Sequence, residues 1–458
     1  MEPLVERQTC GHWARMIPEQ SMNHPAAGVK AKHVHLWQHA RLGAAALCAN
    51  TAAMNSDVII IGGGLVGTTL ALGLARHDIS SIVVDAQDLD ATTLPAFDGR
   101  ASAVASASAR MLRALGLGDI LDQHGCPIRE IRVTDGTHPQ YLHFDAGEAN
   151  DPLGIMMENR HLRTALLQAV RAQPLVTLLA PVKVASLDRD DHAATLTLSD
   201  GRRFRAPLAI AADGRRSATR DAAGIPMARW QYPHAALITM VAHSVPHGNI
   251  ACELFYPEGP LALLPMTDHS DGRPRTAIVW TVDGAQEAAA RKLGPRALAA
   301  EIAARVDGTL GDIEVIAPQA VWPLGYHHAA RYTDQRLLLV GDAAHGIHPI
   351  AGQGLNMGFR DVAATVEVLT EAARTGQDLG SPDVLARVSA WRRFDNSLVC
   401  AVTDGLNRLF GLRGRTASRI RRIGLAGVER LPPLKQFFMQ QARGETGQQP
   451  ALLRGELV

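Results

Sequence analysis

An α/β fold is predicted, with a parallel sheet, an inserted antiparallel β-sheet and helices at the C-terminus. Three observations carry this. A β-branched run, Asp57–Ile61, leads into glycines at positions 62, 63, 64 and 67 and then an Ala/Leu-rich stretch. Short strand patterns separated by turn residues cluster over residues 128–144 and 236–282. A second buried run, Leu337–Val340, returns just before a glycine-containing loop and a long helical pattern.

Asp57–Ile61 reads as a buried strand, Gly62–Gly67 as a turn, Thr68–Arg76 as a helix and Ser81–Asp85 as a second strand. Together they make a βαβ unit of about thirty residues. Val58–Ala75 carries no charge and reaches the lower length limit of a membrane span. Its glycines, set between a β-branched and an Ala/Leu-rich run, read instead as strand, turn and helix. Ser106–Leu115 and Arg160–Ala172 have apolar residues at helical spacing. Ile128–Thr134, Tyr141–Phe144, Ala236–Val241, Cys252–Tyr256, Leu261–Pro265 and Thr276–Val282 read as strands of one antiparallel sheet drawn from two parts of the chain. Ala297–Val306 is a helix, a further helix starts at Gly354, and Val384–Ala442 reads as helices broken at Pro432–Pro433. Residues 1–53 are irregular and precede Met54, which stands directly before the first strand. They read as an extension or an early start, because Leu42–Ala53 lacks the basic–apolar–cleavage layout of a leader.

With 46 basic against 45 acidic residues, no global charge favours nucleic acid. The cysteines, Cys10, Cys48, Cys126, Cys252 and Cys400, are odd in number and never form CxxC. That usage fits a reducing compartment, the cytoplasm, with peripheral contact to the inner membrane left open.

Gly62-Gly63-Gly64-Leu65-Val66-Gly67 is a GxGxxG motif. Gly62 permits the tight turn, Gly64 lets the backbone approach a pyrophosphate, and Gly67 allows close helix–strand packing. Asp85, eighteen residues after Gly67, can accept from a ribose hydroxyl. Asp213-Gly214 follows the apolar run Leu208–Ile210, a pattern also made by plain turns. Gly341-Asp342 ends the Leu337–Val340 strand and can place Asp342 on a hydroxyl chain. The loop from His348 through Gly352, Gln353, Gly354, Leu355 and Asn356 then feeds a helix whose N–H groups would face an electron-rich group. His345 and His348 have no third ligand at metal-site spacing, so no metal is expected.

The sequence resembles the flavoprotein aromatic hydroxylases related to p-hydroxybenzoate hydroxylase, and within them the ubiquinone-biosynthesis hydroxylases. Gly62–Gly67, Phe97–Arg100, Asp213–Gly214, Gly341–His345, His348–Asn356 and Trp391–Asn396 carry the resemblance, in that order. The combination is specific, although no single member is. It implies a Rossmann-like FAD-binding domain of the glutathione-reductase type over 54–125, 155–225 and 320–375. An inserted antiparallel β-sheet substrate domain would occupy 126–154 and 226–319, with a C-terminal helical segment over 376–458. By the same resemblance Gly62, Gly64 and Gly67 hold the FAD pyrophosphate and Asp85 the adenosine ribose. Arg100 and Arg160 contact the cofactor, Asp213 lies behind the pyrophosphate or nicotinamide path, and Asp342 binds the ribityl–phosphate region. Gly352, Gln353 and Gly354, followed by Leu355 and Asn356, bind the isoalloxazine edge, and Pro349 lies close to the reactive C4a. Two departures stand out: Asp85 replaces the more usual Glu, and Val388 stands where an aromatic is common.

The implied chemistry is that of the cofactor: reduced flavin and molecular oxygen give a C4a-hydroperoxide that delivers oxygen to an electron-rich ring. The implied substrate is a polyprenylated phenol or quinone precursor. The electron donor is NAD(P)H or a reductase partner. Gly259–Pro265 is apolar throughout, and Leu261, Leu263 and Pro265 are expected on the substrate side, with a plain core strand as the other reading. Arg408, Arg413, Arg415, Arg419, Arg421, Arg422 and Arg430 face a single acid, Glu429. Such a segment docks on an anionic membrane or a quinone-biosynthesis complex, or is a solvated helix face. Two other functions stay open, a hydroxylase of another phenol and a flavin-binding scaffold. A flavin halogenase does not, because no two tryptophans stand two apart.

Overall fold

A computed structural model describes residues 56–94, 100–139, 141–147, 151–256, 258–347, 352–410 and 427–458. The expectations for residues 1–53, Phe97–Gly99, His348–Ala351 with Pro349, and the basic residues within 411–426 lie outside the described residues.

The parallel sheet comprises β1 (Val58–Ile61), β2 (Ser81–Val84), β8 (Val176–Leu179), β12 (Leu208–Ala211) and β20 (Leu337–Leu339), with a short antiparallel edge strand β19 (Thr333–Asp334). Its order is β19-β20-β12-β1-β2-β8, so the chain changes direction across the sheet at β1. The strand β1 is buried on both faces, as its β-branched run requires. Val58 and Ile60 pack under the helices α1 (Leu65–Ala75), α2 (Asn159–Arg171) and α4 (Gln353–Arg374). Ile59 and Ile61 pack on a ribbon of β9 (Val184–Arg189), β10 (Ala194–Leu198) and β11 (Arg203–Ala206). The ribbon was not anticipated, although the alternation in Ala194–Leu198 is a strand pattern.

A small antiparallel sheet, β3 (Ala101–Ala105), β7 (Gly154–Glu158) and β4 (Cys126–Ile128), joins this layer to the large sheet. The large sheet runs β21 (His345–Gly346), β18 (Ala320–Ala329), β13 (Met227–His243), β16 (Arg275–Asp283), β15 (Gly259–Met266), β14 (Ile250–Tyr256), β5 (Glu130–Asp135) and β6 (Tyr141–Asp145), and β17 (Ile313–Val315) pairs with β13. One face of it is covered by α3 (Pro295–Val306). The sheet is drawn from two parts of the chain, as expected, but their junction, β14 with β5, is parallel.

Two expectations change. The single strand over Ile128–Thr134 divides at Arg129, with β4 in the small sheet and β5 in the large one. Residues 320–329, assigned to the nucleotide domain, pair with β13 and extend the large sheet. The helical break expected at Pro432–Pro433 is present, and Pro432 opens the helix α6 (Pro432–Arg443), since proline suits a first helical turn.

Helices α1 and α4 approach closely at Gly73, where an added Cβ would lie 2.8 Å from Val366 Cγ2. Gly73→Val should lower stability by about 1–3 kcal/mol through overpacking, read as a reduced urea midpoint. An unchanged or higher midpoint would show that the two helices separate freely.

Candidate active site

The three glycine-bearing motifs meet at the carboxyl ends of β1, β12 and β20. Ala212 N donates to Ile61 O (2.7 Å) and Val340 N to Ala211 O (3.0 Å), which ties the strand ends together. Gly62 has φ +113°, and a Cβ there would fall 2.3 Å from Ala212 O, so the turn excludes any side chain. A Cβ on Gly67 would lie 1.9 Å from Gly62 O. Buried Arg220 donates to Ala343 O (3.2 Å) and Arg215 O (3.3 Å), bridging the Asp213-Gly214 turn to the Gly341-Asp342 turn. In an open α/β sheet, the crevice beside the switch strand is where a nucleotide binds.

The start of α1 is bare. Its N-cap is Gly64, with no side-chain cap, no acid in the first turn and open space where a Cβ would stand, among the described residues. Unpaired N–H groups and the positive end of the helix dipole therefore face a crevice, as a diphosphate requires. Asp85 stands beside it and accepts from Gly63 N (2.7 Å) and Gln87 N (2.7 Å), so its carboxylate is already oriented and each oxygen keeps a lone pair for a hydroxyl. Asp213 accepts from Thr219 N at 3.1 Å through Oδ2, while its buried Oδ1 has no partner among the described residues. Asp342 is exposed on a short 3-10 turn, and its carbonyl accepts from His327 Nε2 (2.8 Å). The bare helix end and the unpartnered Asp213 oxygen fit a dinucleotide such as FAD.

The start of α4 is equally bare. Gly352 is its N-cap at φ +61°, the first turn holds no acid, and Gly354 opens on empty space among the described residues. A Cβ on Gly352 would lie 3.3 Å from Ala103 Cβ, so this end is seated against β3. Gln353 and Leu355 are half-buried beside it. Asn356 is buried and engages backbone instead of a crevice. Its Nδ2 donates to Ala103 O (2.9 Å) and Gly352 O (3.3 Å), and its Oδ1 accepts from Ala105 N (2.9 Å). It positions the loop against β3.

Below the loop lies a network that the motifs alone did not reveal. Asp361 Oδ2 accepts from Gly341 N (3.0 Å) and contacts His345 Nε2 (2.6 Å), and Oδ1 accepts from Arg392 Nε (2.8 Å) and Asn396 Nδ2 (3.1 Å). Arg392 also donates to Asn396 Oδ1 (2.6 Å) and pairs with Asp395, which pairs with Arg360 (2.8 Å). Burial would push the Asp361 carboxyl up, but His345, Arg392 and Asn396 outweigh it and hold it below the usual carboxylate range. The Trp391–Asn396 motif, on the helix α5 (Pro382–Phe410), thus closes on the Gly341–His345 turn through one acid of α4. The sequence showed its members His345, Arg392, Asp395 and Asn396 within motifs, but not that Asp361 joins them.

Arg100 lies over the Trp322 ring, 5.2 Å from its centroid. Arg160 Nε donates to Glu158 Oε2 (2.7 Å), and Glu158 also binds Arg275 (3.1 Å). Leu261 and Leu263 are corrected: they pack into the core under α3, on the face turned away from β3. The row offset by one, with Leu264 and Met266, packs with Ala101 and Ala103. Pro265 is buried and alternates with Leu264, so it shares the row of Leu261 and Leu263. The uniformly apolar strand gave no period by which to choose a face.

Asp361→Asn would remove one of the two carboxylates around buried Arg392 and weaken the hold on Gly341 and His345. It should cost about 3–5 kcal/mol in urea unfolding at pH 7 and lower the flavin content of the purified protein. Parent-like stability with full flavin content would remove Asp361 from this role.

The sequence model for the FAD binding domain family matches residues 55–386. A relative described as "Ubiquinone hydroxylase UbiL", from Rhodospirillum rubrum, is 43% identical over 87% of this chain and 93% of its own length. The "3-demethoxyubiquinol 3-hydroxylase" of Escherichia coli is 36% identical over 85% of this chain and 98% of its own. Among solved structures, p-nitrophenol 4-monooxygenase PnpA from Pseudomonas putida DLL-E4 superposes with a TM-score of 0.71 at 19% identity, over 87% of this chain and all (100%) of that one, a likeness of fold. The chain is a member of the FAD-binding-domain family of FAD-dependent aromatic monooxygenases.

Proposed function

We propose that this chain hydroxylates the aromatic ring of a ubiquinone precursor, a phenol or quinone bearing a polyprenyl chain. The observation that carries the reading is near-full-length similarity, at 43% and 36% identity, to two relatives whose names state ubiquinone-pathway hydroxylation. When bound, reduced FAD supplies the activated oxygen that attacks an electron-rich ring. The α1 amides with Gly62, Gly64 and Gly67 would hold the diphosphate and Asp85 the adenosine ribose. Asp213 would border the pyrophosphate path, and Asp342 the ribityl–phosphate region. Arg100 and Arg160 would contact the cofactor, with Arg160 aligned by Glu158. The α4 amides from Gly352 through Asn356, with Pro349 nearby, would stabilise negative charge on the ring edge. The apolar row of β15 excludes water from the ring. The reductant is NAD(P)H or a reductase partner.

A strain lacking this chain should accumulate one quinone intermediate short of a single ring hydroxyl, read by mass spectrometry of the lipid extract. An unchanged quinone pool would end the ubiquinone assignment.

Peripheral docking on an anionic membrane, in reach of a quinone-biosynthesis complex, is the reading we favour for the C-terminal region. Support comes from the arginines over 408–430 and from apolar side chains exposed at the start of and along α6, at Leu431, Leu434 and Phe437. The acid in that stretch is engaged internally: Glu429 pairs with Lys435 (2.6 Å) and accepts from His143 N (3.0 Å). Among the described residues no helix is long and apolar enough to cross a membrane. The protein should co-sediment with phosphatidylglycerol-containing vesicles and be released by high salt. Equal recovery in the supernatant with and without anionic lipid would exclude this contact.

A further inference from the structure

A carboxyl group stands on the large sheet, on the face shared with β3, against which the start of α4 is seated, and none of the roles proposed above uses it. Along β14, Cys252 and Leu254 pack toward the core under α3, so Ala251, Glu253 and Phe255 face the other way. Ala251 belongs to the cluster that includes Ala101 and Ala103 of β3, and Ala103 is the residue against which Gly352 is seated. Glu253 lies in register with Ala262 on β15 and Val133 on β5. Its neighbours are apolar, and Ala251 and Ala262 are too small to cover it.

Glu253 keeps part of its surface open and makes no hydrogen bond or ion pair among the described residues. Burial alone pushes its carboxyl up to about 7. A carboxyl partly exposed among apolar neighbours is desolvated and still open to a small ligand. The charges of adjoining elements are directed elsewhere. Glu130 and Arg132 of β5 pair with each other on the opposite face. Arg275 of β16 binds Glu158 of β7 at the far end of the shared face. Asp135 lies at the end of β5 and has its own partner. Burial holds the Cys126 thiol of β4 at about 11, so it is uncharged.

We propose that Glu253 receives the ring hydroxyl of the phenolic substrate, accepting its hydrogen bond and then its proton as the ring is attacked. The inference rests on the phenol reading above and adds to it the group that activates the ring. The substrate O–H bond breaks, an O–H bond forms on a Glu253 oxygen, and the electron pair stays on the ring oxygen. When the product ring is restored, the oxygenated carbon releases its hydrogen to water as a proton, and Glu253 returns the held proton to the ring oxygen. A phenolate is richer in electrons than a phenol and so a better target for electrophilic oxygen. A phenol ionises near 10 and an ordinary Glu near 4.3. A carboxyl raised toward the phenol makes that transfer less uphill at neutral pH.

The test uses flavin-loaded protein, 2-butylphenol and its methyl ether as probes, and the variants Glu253→Gln and Glu253→Asp. Binding is read from the flavin absorbance change, and turnover from product formation across pH. The parent should prefer the phenol over the ether by about tenfold or more, with kcat falling as pH drops through about 7. Glu253→Gln should lose about tenfold or more in kcat, lose the acid limb, and narrow the preference to within about threefold. Glu253→Asp should restore part of the rate and the acid limb. Melting temperature gives a readout independent of activity. A carboxyl raised in the fold leaves stability intact below its unfolded value and withdraws it as pH rises through about 7. Glu253→Gln should therefore melt above the parent at pH 8 and with it at pH 4. A Gln variant with parental kcat, acid limb and preference overturns the proposal, as does one that melts below the parent at both pH values. A parent that neither binds nor turns over the phenol overturns the phenol reading itself, and this assignment with it.

Discussion

The meeting point of the glycine-bearing motifs depends on one buried carboxylate. Asp361 receives Gly341 N and His345 on one oxygen and Arg392 and Asn396 on the other, so a turn between two sheets, a helix of the nucleotide layer and the long helix α5 share one point of attachment. Burying ions is expensive, and the cost is offset only when every donor and acceptor is engaged. Here Asp395 and Arg360 complete the charges around Arg392. Burial and the neighbouring Arg392 lower the Arg360 guanidinium to about 10, while Asp361 and Asp395 hold Arg392 above its ordinary value.

That attachment explains why distant glycine loops can serve one ligand. The Gly341 turn is held from below by Asp361 and from the side by Val66 of α1, whose methyls crowd the position of a Gly341 Cβ at 3.2 Å. The same Val66 lies against Gly358 of α4. Helices α1 and α4 are thereby locked together, and their N-termini carry positive dipole ends without side-chain caps. Asn356 fixes the second of these ends to β3. A cofactor with a diphosphate at one end and a ring that gains negative charge at the other matches two such ends.

The large sheet supplies the other wall. Its two faces differ in what covers them. One face is sealed by α3, and the other meets β3, β4 and β7 in a second apolar cluster. Leu261 and Leu263 show how little the strand itself says about this, since Gly259–Met266 is apolar at nearly every position and either row could have faced the ring. Glu253, by contrast, is the polar residue in its row of β14, but its side is known only from its register with Ala262 and Val133.

The sequence by itself determined the βαβ unit, the glycine turns and the later Gly-Asp turn, because those features are local: a φ of +113° at Gly62 or a strand buried on both faces leaves few residue choices. It also determined the family, because six short motifs in fixed order are improbable together. Only the tertiary structure decided what depends on pairing between remote segments. It divided Ile128–Thr134 between two sheets, moved Ala320–Ala329 into the large sheet, and turned Leu261 and Leu263 inward. It also brought Asp361, His345, Arg392 and Asn396 to one point. The physical reason is that strand register and buried ion partners are set by contacts across tens to hundreds of residues, for which neither periodicity nor spacing along the chain carries a signal.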